Sequence, residues 1–184
     1  MRAGTYRQDG VLERFTCGPD GDGWTYLATQ EDLATGAMLG RLELGVRGSE
    51  VRGSEVQGSA GWGEARLHVE AGGWVLRAGT VGPDVLWRRG DQEREAVADG
   101  VTGSSPAYAV VIVHRLALEV GEERRLRLVA VTEPVLATRL VDQSWTRTGP
   151  DRYEVTDLAT GERTALRMDA GLVQECPGLT LTQT

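Results

Sequence analysis

The feature that most constrains this chain is a two-residue alternation of apolar with charged or small residues. Leu42, Leu44 and Val46 alternate with Arg41, Glu43 and Gly45, and Ala65, Leu67 and Val69 alternate with Arg66, His68 and Glu70. The same pattern returns at Leu116, Leu118 and Val120 and again at Leu126, Leu128 and Ala130. Successive side chains of a strand point to opposite faces, so this pattern predicts half-buried strands. One face apolar and one charged is the signature of antiparallel sheet turned toward a core or a cavity.

Turn residues separate these runs. Gly18-Pro19-Asp20-Gly21-Asp22-Gly23 is expected to form a tight loop, and Val120-Gly121-Glu122-Glu123 a hairpin connection. The pentapeptide Asp-Leu-Ala-Thr-Gly occurs at 32–36 and again at 157–161, each time between strand-like runs. A Val-Arg-Gly-Ser-Glu unit repeats from Val46 onward. A five-residue step reverses the facing of Val each time, so it predicts a polar, flexible loop around 46–62. Helical pattern is scarce: only Asp91–Ala98 is a candidate for a short helix, with a charged edge strand as the alternative.

Charge and composition exclude several functions. A net charge of −7 argues against nucleic acid, whose binding needs clustered positive charge. All 20 basic residues are Arg, so Schiff-base, P-loop and kinase chemistry that needs Lys is absent. The first ten residues lack the apolar core of a signal peptide and no run is long enough for a membrane span, so a cytoplasmic location is expected. Cys17 and Cys176 are then expected as reduced, buried thiols.

No motif supports catalysis. Asp20-Gly21-Asp22-Gly23 fails as a calcium loop because Trp24 and Thr25 occupy positions that need an oxygen ligand and a Gly. Asp91, Glu93 and Glu95 read as a solvated edge rather than a carboxylate pair. His114 lies near Ser104 and Ser105 but without a nucleophile elbow, and it is expected on a strand with its ring partly exposed. Two His and two Cys at unrelated spacings make no zinc site. Five Trp against one Phe is unusual, and some of these indoles are candidates for a pocket wall.

From about Asp99 to Leu179 the order of features resembles a bacterial family named for glycolipid binding and otherwise of unknown function. The residues that carry the resemblance are Ser105-Pro106 leading to His114-Arg115-Leu116-Ala117-Leu118-Glu119-Val120-Gly121, then Glu133-Pro134-Val135-Leu136 and Gln143-Ser144-Trp145. Met168-Asp169, Gly171-Leu172-Val173 and Cys176-Pro177-Gly178-Leu179 complete it. His114 stands where the family has the first of two Arg, and Cys176 where it has Tyr. The resemblance implies a curved sheet like that of the lipoprotein carriers.

Together these readings predict one all-β domain over 1–184, a highly curved antiparallel sheet as a half-open barrel or roll with few helices. The expected function is non-enzymatic capture of an amphipathic, glycolipid-like molecule on the concave face, without metal or cofactor. Arg88, Arg89, His114 and Arg115 are the candidate head-group ligands, and Trp87 and Trp145 the candidate wall. The alternatives are a protein-interaction module, with homo-oligomerisation open, and a small hydrolase centred on His114.

Overall fold

The computed structural model describes residues 1–21, 23–48 and 62–183. Eight strands follow one another as an antiparallel meander: β1 (Arg2–Gln8), β2 (Val11–Asp20), β3 (Gly23–Asp32), β4 (Met38–Gly48), β5 (Trp62–Ala71), β6 (Trp74–Val81), β7 (Asp84–Arg89) and β8 (Gln92–Val97). A short β9 (Gly100–Thr102) and helix α1 (Pro106–Leu116) come next. A second meander follows: β10 (Glu123–Thr132), β11 (Ala137–Arg147), β12 (Arg152–Asp157), β13 (Arg163–Asp169) and β14 (Leu172–Glu175). The last strand, β15 (Thr180–Gln183), returns to pair with β1 and makes the first sheet nine-stranded. The result is all-β: a large antiparallel sheet and a curled, half-barrel sheet.

The alternation places the core as expected. Leu42, Leu44 and Val46 of β4 and Leu67 and Val69 of β5 are buried on the inner face of the nine-stranded sheet. Tyr6, Phe15 and Tyr26 stack across β1, β2 and β3 with centroids 4.9 and 5.2 Å apart. In β10 the inner residues divide: Leu126 and Leu128 join one core cluster, Val129 and Val131 the other. This strand therefore separates two cores, and α1 lies between them. Ala107, Tyr108 and Val111 face the nine-stranded sheet's core, while Val110, Ile112 and Val113 belong to the second.

Three expectations change. Residues 106–116 are helical, so His114 and Arg115 stand on α1 and the alternation at Leu116, Leu118 and Val120 is not a strand. A Val-Val-Ile-Val run costs a few tenths of a kcal/mol per residue in a helix. A helix apolar on nearly all sides is stable when buried, and here two cores bury it. Ser105 caps its start by accepting from Ala107 N at 3.2 Å, Pro106 occupies the first turn, and Ala117 closes it in the left-handed region. Second, the sheet is not wholly antiparallel: β9 runs parallel to β10, which only a crossover such as α1 permits. Third, Gly18–Gly23 is mostly strand, since β2 continues to Asp20 and β3 begins at Gly23. Val120–Glu123 accordingly joins the helix exit to β10 rather than two strands.

The Asp91–Ala98 segment resolves as edge strand β8, its exposed charges guarding the end of the sheet. Of the Val-Arg-Gly-Ser-Glu repeat, Val46–Gly48 close β4, Trp62 opens β5, and 49–61 lie outside the described residues. Both cysteines are free thiols, Cys17 buried and Cys176 half-buried.

Candidate functional site

Where the two cores meet along α1, a cleft of about 170 Å³ remains between the nine-stranded sheet, the helix and β10. Its walls are Leu44, Leu67 and Ala78 on the sheet side, and Leu126 and Leu128 on the β10 side. The helix contributes Tyr108, Val111, Ile112, Arg115 and Leu116. These positions fall at i, i+3, i+4, i+7 and i+8, which is one face of a helix.

The lining of the cleft is mostly apolar, and its charged members are Arg66, Asp99, Arg115 and Arg124. Arg115 stands in the last turn of α1, where a positive charge complements the helix dipole. Its Nη1 donates to the Asp99 main-chain oxygen at 2.5 Å. Arg115 is half-buried, and burial lowers its pKa from the usual guanidinium value while the nearby Asp99 charge opposes the shift. The Asp99 carboxylate itself accepts from Arg127 N at 2.8 Å. Among the described residues Arg115 takes part in no ion pair. Arg124 also lines the cleft and shares the β10 face of Leu126 and Leu128; its guanidinium meets Glu122 at 3.3 Å in an exposed pair.

A larger groove of about 530 Å³ lies on the outer face of the nine-stranded sheet. Its lining carries charges of both signs, Arg14, Arg41, Glu43 and Glu70, with His68 3.3 Å from Glu70. It is also the more open and shallow of the two, with Phe15, Leu27, Ala28 and Leu42 among its lining residues. The enclosed cleft is therefore the better ligand site.

Of the six residues singled out from sequence, only Arg115 lines the cleft. Trp87 is buried in the core cluster of the nine-stranded sheet, and its Nε1 donates to Thr138 Oγ1 at 3.1 Å. Trp145 belongs to the second core cluster and donates to Gln143 Oε1 at 3.0 Å. Both indoles are thus core residues with satisfied N–H groups. Arg88 is exposed and pairs with Asp91 at 3.5 Å. Arg89 stacks 3.7 Å over the Trp74 ring and donates to Val135 O at 3.0 Å. His114 is turned from the cleft toward the β13–β14 turn, where a Cβ on Gly171 would come within 3.6 Å of its Nε2. That setting partly desolvates the ring and lowers its pKa.

Tyr108, Val111 and Ile112 escaped notice because their stretch reads as strand. The signal that locates them is Ser105-Pro106, a helix cap followed by Pro at the first position.

No family model matches the chain. No curated protein matches it either. In fold it is similar to a crystal structure of a DUF1089 family protein from Pseudomonas aeruginosa, with a TM-score of 0.62 and 21% identity over 92% of this chain and 90% of that one. At that identity the likeness extends to the fold. No helix among the described residues is long and apolar enough to cross a membrane.

Proposed function

We propose that this protein reversibly binds an anionic amphipathic molecule, with the apolar end in the cleft beside α1 and the charged group on Arg115. No covalent step is involved. The observation that carries this reading is a half-buried guanidinium, free of ion pairs among the described residues, on the wall of a mostly apolar cleft. A desolvated cation of this kind gains most from a carboxylate or phosphate, which Arg grips with paired, charge-assisted bonds. The remaining length of the ligand is apolar, and each methylene buried against Leu44, Leu67 and Leu128 adds about 0.8 kcal/mol. A volume of about 170 Å³ is small beside a whole lipid and suits the end of one chain. A glycolipid with an acidic group falls in this class, and the resemblance across 99–179 supports it.

Calorimetric titration with decanoate, beside decanol, tests the reading. Decanoate is expected to bind, decanol to bind more weakly, and Arg115→Gln to reduce decanoate affinity about tenfold or more through loss of a charged hydrogen bond. Absence of decanoate binding, or equal binding by the Arg115→Gln protein, overturns it.

A further inference from the structure

Tyr108 and Arg115 both belong to the helical wall of the cleft beside α1, seven positions or about 10 Å of helix apart. Tyr108 is 2% exposed, and among the described residues its hydroxyl is buried without a hydrogen-bond partner. Its ring is closely packed: a Cβ on Gly103 would lie 2.5 Å from Cε2 and 2.9 Å from Cζ. Burial, and then the charges of Glu133 and Glu13, push the phenol's ionisation well above its usual range. The group therefore keeps its proton and stands ready to donate it.

Buried hydroxyls of folded proteins nearly always have a partner, so one without a partner in the chain calls for an explanation. Most of the other side chains lining the cleft are apolar, Val101, Val111 and Ile112 among them, and have no polar atom to offer. A bound molecule supplies the missing acceptor when it places an oxygen against the phenol. A hydroxyl serves, since its oxygen accepts and its own proton remains free to turn. A wholly apolar tail leaves the phenol unpaired.

We infer that the molecule held in this cleft is a hydroxylated medium-chain acid, with its carboxylate on Arg115 and a hydroxyl along its chain accepting from Tyr108. The inference rests on the reading of the cleft as an acid-binding site and names the class of acid. The separation of Tyr108 from Arg115 sets that hydroxyl well away from the carboxylate rather than beside it. The pair also makes the cleft selective. A purely apolar pocket disfavours a hydroxyl, because burying one without a partner costs free energy. A site built to bond the hydroxyl instead discriminates against the analogue that lacks it.

Calorimetric titration of the full chain with two pairs, octanoate beside 8-hydroxyoctanoate and decanoate beside 10-hydroxydecanoate, decides the matter. In one pair or both, the hydroxy acid is expected to bind the wild type at least as tightly as its parent. Tyr108→Phe is expected to lower the affinity for that hydroxy acid, relative to its parent, about tenfold. Arg115→Gln should weaken both members of each pair and leave their ratio. The ligand-free Tyr108→Phe protein should melt no lower than the wild type, because the hydroxyl has no partner to lose. Hydroxy acids that bind more weakly than their parents in both pairs, a ratio that Tyr108→Phe leaves unchanged, or a lower melting temperature of that variant overturns the inference while decanoate binding still stands. Failure of decanoate itself to bind removes the acid-binding reading, and this inference with it.

Discussion

The Tyr26 hydroxyl donates to the Glu13 carboxylate between neighbouring strands β3 and β2, and both residues are buried. The same carboxylate takes a bond from Ser105, the cap of α1, and so ties the helix start to the nine-stranded sheet. Burial raises the Glu13 pKa above its ordinary value of 4.5, although Tyr26, Gln30 and Ser105 pull it down. A carboxyl whose pKa is raised on folding contributes stability below its unfolded pKa, and that contribution is lost as pH rises through the folded pKa. Glu13→Gln keeps the shape and has no charge to form. Its stability relative to the wild type should therefore grow as pH rises above the ordinary carboxyl value of 4.5. Glu13→Ala strands three donors and should cost about 3 kcal/mol. Thermal melts of the three proteins at acid and neutral pH check both outcomes, and a relative stability that falls with pH contradicts the assignment.

The two Asp-Leu-Ala-Thr-Gly segments form the same turn. Asp32 Oδ1 accepts from Ala34 N at 3.0 Å and Thr35 N at 2.8 Å; Asp157 Oδ1 accepts from Ala159 N and Thr160 N, both at 2.9 Å. Gly36 and Gly161 close the turns at φ of 70° and 75°, where a side chain would be strained. These bonds hold both carboxyls below the ordinary value: the Thr35 side chain leads for Asp32, the Thr160 main chain for Asp157. The stability they confer is present above the unfolded pKa and is lost as pH falls through the lower folded one. Asp32→Ala and Asp157→Ala should each lower Tm at neutral pH, with the difference from wild type shrinking in acid. A difference that widens in acid would contradict this.

Arg147 fixes the chain that leaves α1. Its Nη1 donates to Leu118 O at 2.8 Å and its Nε to Gly149 O at 3.2 Å, while Nη2 reaches Pro150 O. One planar fork serves three carbonyls, which the single ammonium of Lys does not reproduce. Arg147→Ala should destabilise by about 2 kcal/mol, with Arg147→Lys recovering only part. Urea denaturation reads both, and full recovery by Lys would argue against the clamp.

The strands were legible in the sequence because each buries one face, and Leu42, Leu67 and Leu126 sit where their alternation puts them. The helix was not, because Val110–Val113 is buried by two cores at once and so carries no polar face to betray a period of 3.6. Arg115 is one of four head-group candidates in the sequence, and nothing local singles it out from Arg88, Arg89 and His114. Its partners Val111, Ile112 and Leu67 come from distant strands and a misread helix, and only the three-dimensional fold brings them together. Trp87 and Trp145 show the limit of residue type as a guide: each indole N–H is satisfied within the core. Glu13 carries no functional signal in the sequence; its buried carboxylate accepts from Ser105, ninety-two positions away in the chain.

Mass spectrometry of the intact protein under native conditions, after purification without detergent and after incubation with decanoate, tests the central claim most directly. The account predicts one anionic amphipath per chain, carried from the cell or taken up from decanoate, and its loss in the Arg115→Gln protein. A bare protein mass in both samples, or an adduct that Arg115→Gln retains undiminished, would contradict it.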